Sequence, residues 1–239
     1  MSIEKKPEPQ SYQLVPGESC VKFDPDGQTK YFPGVTILSH FYQGLPIYDE
    51  MIKICVEADR KDQIKHYVKL PGLSLHMTLC DIKVYDPLPG PLAVDEIRNR
   101  DVAKFTNSFH KLQAEIGHSL PIKMKADLSP DRYPKEGRTL NVPLTPLNAV
   151  EERKLNHIRE KLLTATGRLF NPDYKFHITL YYALGLPPNE EFSNLTEFWA
   201  AAMRRIDQAI GVIAIDRLEL CTFDTMFHFK VVAVAEAQQ

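Results

Sequence analysis

The sequence predicts an α+β protein built on antiparallel or mixed sheets. Three observations lead there. Period-two and helical segments succeed one another as strand, helix, strands, helix, strands, helix, strand, helix, strands, without a strict βαβ succession. Two peptides, Leu75-His76-Met77-Thr78-Leu79 and Phe176-His177-Ile178-Thr179-Leu180, repeat one alternation 101 residues apart, which fits a duplicated, two-lobed architecture. With 239 residues and a hydrophobic fraction of 44%, the chain can bury a sizeable core.

The elements follow in order. Residues 1–19 hold three prolines and little apolar content and read as a flexible arm; residues 20–239 read as a single bilobal unit. Asp24-Pro25-Asp26-Gly27 marks a turn. Val35–His40 reads as a strand. Pro46–Ala58 has helical spacing, with Ile47, Met51, Ile54 and Ala58 on one stripe. A short strand near His66–Lys69 precedes the first motif strand, and Asp86–Pro91 is a connection. Asp101 is placed to cap a helix whose stripe is Val102, Phe105, Phe109, Leu112 and Ile116, ending at Gly117. Strands are expected near Ile122–Leu128 and Thr139–Leu144, with a polar loop between them. Thr145-Pro146 is read as the opening of a helix presenting Leu155, Ile158, Leu162 and Ala165, stopped by Gly167. After the second motif strand come a helix over Leu195–Ile210 and strands near Val212–Phe223 and Phe227–Ala235.

The motif strands carry the chemistry. A strand turns successive side chains to opposite faces, so each His shares a face with the Thr two residues on. Strict alternation puts Ser74, His76, Thr78 and Cys80 on one face of the first strand. It puts Lys175, His177, Thr179 and Tyr181 on one face of the second. A lone His-x-Thr reads as structural, its imidazole bonded to a backbone carbonyl. With 8 histidines in the chain, a His-x-Thr flanked by three apolar residues arises by chance only roughly 0.03 times. Two copies therefore point to a site. Two imidazoles and two hydroxyls across one cleft suit acid–base chemistry on a phosphate.

The rest of the sequence bounds that reading. The net charge of −2 argues against an extended nucleic-acid-coating surface. Residues 1–17 are polar and do not read as a leader, no apolar run approaches a membrane span, and the four cysteines show no CxxC spacing. A cytoplasmic setting with reduced thiols is expected. No GxxxxGK[ST], HExxH, GxGxxG or GxSxG occurs. Cys80 reads as a small packed residue. His40 and His228 are placed to line a cleft. His66, His110, His118 and His157 read as surface or helix-flank residues. Arg132 and Arg138 lie in a loop that is polar by default.

His76-Met77-Thr78-Leu79 and His177-Ile178-Thr179-Leu180 resemble the paired signatures of the two-histidine (2H) phosphoesterase superfamily. That superfamily takes in 2′-5′ RNA ligase-like proteins and cyclic phosphodiesterases. Lys22-Phe23-Asp24-Pro25-Asp26-Gly27, Phe32-Pro33-Gly34 and Leu70-Pro71-Gly72 look like an uncharacterised branch of it. The resemblance runs from about residue 20 to 234. It implies a bilobal fold: two antiparallel or mixed sheets flanking a central cleft, with helices outside. It also implies metal-independent hydrolysis or transesterification of a cyclic phosphate or a 2′-5′-type phosphodiester, with no cofactor. His76 and His177 would be general acid and base, and Thr78 and Thr179 would hold the phosphate. From the face they share with His177, Tyr181 and Lys175 are expected to contact substrate, binding phosphate or stacking a base. We assign His177 as base and His76 as acid, with the reversal left open by the pseudo-symmetry. The expected ligand is a small nucleotide, a cyclic phosphate or an RNA end. The alternative is a catalytically silent module binding nucleotides or RNA ends in the same cleft.

Overall fold

The computed structural model describes residues 18–88, 90–132, 139–185 and 189–238. Of the expected N-terminal arm, only residues 18 and 19 fall within them, and Arg138 falls outside. The element order is α1 (Glu18–Lys22), β1 (Gly34–His40), α2 (Pro46–Ala58), β2 (Tyr67–Lys69), β3 (His76–Val84), α3 (Pro91–Ser119) and β4 (Ile122–Ala126). It continues with β5 (Leu140–Pro146), α4 (Ala149–Ala165), β6 (His177–Ala183), α5 (Asn189–Ile210), β7 (Ile213–Ile215), β8 (Arg217–Thr225) and β9 (His228–Glu236).

The strands run in the order β7-β4-β5-β6-β3-β1-β8-β9, with β2 added to β6, and each described pairing is antiparallel. The α+β class with antiparallel sheets is as expected. The two expected sheets are the two halves of this path. They meet where β3 pairs with β6 through one registered pair, Met77 opposite Ile178. Helix α3 packs on β9, β8 and β1, α4 on β3, β4 and β5, and α5 on β4 and α2. One apolar cluster runs through both halves, from Phe23, Ile37 and Leu220 to Met124, Val142 and Trp199.

Helix starts differ from the sequence reading for local chemical reasons. α3 begins ten residues before Asp101, with Pro91 in its first turn. Asp101 then lies inside the helix, where its carboxylate accepts from Lys83 Nζ at 2.6 Å and Tyr85 Oη at 3.2 Å. That exchange of a cap for an ion pair joins α3 to the end of β3. α4 does not open at Thr145-Pro146, which closes β5. Its cap is Asn148, whose Oδ1 accepts from the backbone N–H of Val150 and Glu151. The Asp24 turn is a side-chain turn: Asp24 Oδ1 accepts from the amides of Asp26 and Gln28, and Gly27 supplies the positive φ of 80°. His66 is buried, with its carbonyl accepting from the Leu184 amide, and is not a surface residue.

Candidate active site

The Met77–Ile178 pair decides how the motifs meet. In an antiparallel ladder its flanking positions set His76 against Thr179 and Thr78 against His177. All four side chains thus stand on one face, and the two histidines are diagonal neighbours, with Cα atoms roughly 7–8 Å apart. The outer strands extend the same rows. On β1, His40 pairs with His76 and Leu38 with Thr78; on β5, Pro143 pairs with His177 and Asn141 with Thr179.

Both imidazoles are anchored alike. His76 Nδ1 lies 2.6 Å from the Ser74 carbonyl, and His177 Nδ1 lies 2.9 Å from the Lys175 carbonyl. A carbonyl only accepts, so Nδ1 carries the hydrogen in each ring and Nε2 is the nitrogen that takes up or gives a proton. Among the described residues, neither the Thr78 nor the Thr179 hydroxyl has a protein partner. Both remain able to donate to an incoming oxygen.

A second shared feature is a bulge. On β3 the register passes from Thr78 opposite Leu38 to Cys80 opposite Ile37, leaving Leu79 as the extra residue. On β6 it passes from Thr179 opposite Asn141 to Tyr181 opposite Leu140, leaving Leu180 as the extra residue. An inserted residue shifts the alternation by one. The expectation that Tyr181 shares the His177 face therefore fails. Tyr181 is 1% exposed, its hydroxyl donates to the Cys55 carbonyl (3.1 Å) and Asp59 (2.9 Å), and its ring meets Trp199 of α5. Its neighbour Tyr182 turns the other way, with its ring 4.8 Å from the Lys22 ammonium. Cys80 shifts likewise: its electrostatic neighbours are Arg159 of α4 and Asp81, and burial pushes its thiol up to about 12. Lys175 is exposed, and its contribution to the site is the carbonyl that holds His177.

His76 sits in a distinct environment. Phe229 lies 4.3 Å from it and His40 6.0 Å, ring centre to ring centre. Burial is the main force on its charge, and His40, His177 and Lys22 act in the same direction against the Ser74 carbonyl. Together they bring its pKa down to about 4. At neutral pH His76 is uncharged, which suits a proton acceptor.

Residues 22–86 match the family model "2H-phosphodiest: Domain of unknown function (DUF1868)", a segment that contains the first motif. The resemblance to a two-histidine phosphodiesterase family thus has a counterpart in residues 22–86. A conserved protein of unknown function from Agrobacterium tumefaciens has the same fold at 20% identity and a TM-score of 0.72, covering 89% of this chain and 90% of that one. LigT from E. coli, crystallised with 3′-AMP and with phosphate, aligns at 11% identity and a TM-score of 0.48 over 88% of this chain and 100% of that one. No curated protein matches the chain. No helix among the described residues is long and apolar enough to cross a membrane.

Sequence reasoning named the four motif residues that the register sets on one face, and His40 as a possible lining group. It did not find Lys22, Phe229, Tyr182 or the buried Glu219 behind His40. His228, named with His40, is exposed at the start of β9. Arg132 is spent on structure, bonding Asp127 at 3.0 Å and the Phe176 carbonyl at 2.8 Å, beside the start of β6.

Proposed function

We propose that this protein is a metal-independent phosphoesterase. Its reaction is hydrolysis, or the related transesterification, of a cyclic phosphate or 2′-5′-type phosphodiester. The observation that carries this reading is the Met77–Ile178 register, which sets two His-x-Thr units side by side on one face with both hydroxyls unspent.

A phosphate seated between the rings meets four groups at once. Nε2 of His76 takes the proton of an attacking water as the water oxygen bonds to phosphorus. The bond to the departing ester oxygen breaks, and His177, entering the cycle protonated, gives that oxygen its proton through Nε2. The Thr78 and Thr179 hydroxyls donate to the non-bridging oxygens, where negative charge builds up. Each proton transfer supplies about 10²–10⁴-fold in rate. An anionic phosphate raises the proton affinity of every nearby imidazole, but the ring that is walled in starts lower. The order of the two histidines is thereby kept. The Lys22 ammonium, held against the Tyr182 and Phe32 rings at 4.8 and 5.6 Å, adds positive charge beside His76 for an anionic substrate.

The test is turnover of a nucleoside 2′,3′-cyclic phosphate by the wild type and by the His76→Ala and His177→Ala variants. The wild type is expected to turn over in the presence of EDTA. Each variant is expected to lose about 10²–10⁴-fold in turnover while keeping its circular dichroism spectrum. Full activity in either variant would falsify the two-histidine mechanism. Binding of the nucleotide without turnover in the wild type would make the chain a silent binding module.

A further inference from the structure

The pseudo-twofold that exchanges β3 with β6 also exchanges β1 with β5. It places Pro143 where His40 stands, so His40 is an imidazole that one half has and the other lacks. The His40 ring meets His76 edge-on at 69°, and both rings border Phe229. Behind it, His40 Nδ1 donates to Glu219 Oε2. Glu219 has no exposed surface, and its other oxygen accepts from Tyr42 Oη at 2.6 Å and Arg217 Nε at 2.5 Å. Burial opposes the Glu219 charge, yet these donors hold its carboxyl below the usual range. A satisfied buried network of this kind fixes the tilt of each ring in it.

Glu219, His40 and the Cys221 sulfur lie close enough together to suggest a metal site. The arrangement speaks against one. The carboxylate is already engaged by His40, Tyr42 and Arg217, and burial pushes the Cys221 thiol far up, away from the thiolate a metal needs.

We propose that His40, anchored by Glu219, is a positioning residue that keeps His76 aligned as the proton acceptor of the site. The proposal rests on reading His76 and His177 as an acid–base pair. The groups that act on His76 are His40 from β1, His177 from β6, Lys22 from α1, the Ser74 carbonyl and the Phe229 ring from β9. His40 is tied to the buried carboxylate of Glu219. It acts with burial against a second proton on His76, and its ring stands edge-on to the His76 ring.

The experiment is an NMR titration of the His76 imidazole in the wild type, His40→Phe and His40→Gln. Phe preserves the ring volume, and Gln preserves a donor for Glu219. The wild-type midpoint is expected near 4. Both variants are expected to raise it by about one unit, or about tenfold in proton affinity. The acid limb of kcat/KM should move up with it while KM holds. A midpoint that is unchanged or lower in both variants overturns the proposal. If His40→Phe does not fold, His40→Gln decides alone. A wild type inactive on nucleoside 2′,3′-cyclic phosphate would instead sink the acid–base reading, and the titration would still decide whether His40 governs His76.

Discussion

Strands β3 and β6 each carry His-x-Thr-Leu, each tie the imidazole Nδ1 to the carbonyl two residues upstream, and each bulge at the leucine. Their neighbours differ. His76 is flanked by Phe229 and His40, whereas the position beside His177 is Pro143, whose side chain has no donor or acceptor and which has no backbone N–H to offer. The backbone symmetry sets the two rings on one face of the sheet. The side-chain asymmetry makes them unequal, and an acid–base pair needs that inequality, because one ring must start without the proton that the other holds.

The largest expected effect breaks the comparison at the histidines themselves. Replacing either by Ala should cost about 10²–10⁴-fold in kcat on a natural ester. If the roles are unequal, the leaving group tells them apart. A nitrophenyl phosphodiester departs without needing a proton. His177→Ala should therefore recover most of its loss on such a substrate, and His76→Ala should recover little. Equal recovery by both variants would mean that the two rings do not divide the roles as their surroundings suggest.

The next effect reads the same inequality in folding stability. The folded state binds fewer protons at His76 than the unfolded chain does wherever the pH lies between about 4 and the ordinary imidazole value of about 6.5. Stability from this group is then complete above about pH 6.5 and is lost as pH falls through 4, by at most about 3 kcal/mol. Denaturant unfolding across that window should show the decline in the wild type and a flatter profile in His76→Gln. Matching profiles would mean that His76 is not walled off from water in solution.

Much of this was legible in the sequence, and the parts that were not share a cause. The strand–helix order and the α2 stripe follow from periodicity, and the four motif residues were named from their repeated alternation together with the family resemblance. Tyr181 and Cys80 were misplaced because strict alternation was carried through Leu79 and Leu180, where each strand gains a residue. The leucines look like ordinary strand residues, and the bulges depend on the pairing with β1 and β5. Glu219 was invisible for a related reason: a carboxylate on a strand reads as solvent-facing until its partners arrive from β1 and from the loop after it, 177 to 179 residues away in the chain. The start of α3 was missed because Asp101 has the chemistry of a cap and is used instead as the partner of Lys83.

The threonines probe the symmetric part of the design. Thr78→Val and Thr179→Val preserve shape and remove one donor each. Each should lower kcat by about 10²-fold, with stability little changed. The losses should be similar, since the two hydroxyls hold equivalent places in the register. A tenfold greater loss at one of them would show that the phosphate sits nearer one strand, so that the inequality of the rings extends to their hydroxyls.

The smallest effect tests the bulge at Leu180 through two adjacent tyrosines. Tyr181→Phe removes a buried hydroxyl that bonds the Cys55 carbonyl and Asp59, so it should cost about 1 kcal/mol in stability and leave KM unchanged. Tyr182→Leu removes the ring under Lys22, which also stands 5.2 Å from Phe23. Its signature should be a rise in KM of about threefold, the size of a partly exposed cation–π contact. Strict alternation predicts the reverse pairing, with KM sensitive to Tyr181 and insensitive to Tyr182. The two variants thus separate a strand that slips by one residue after its motif from one that does not. If Tyr181→Phe were the variant that raised KM, the bulge would be misplaced, and the face carrying His177 would have to be redrawn from that residue onward.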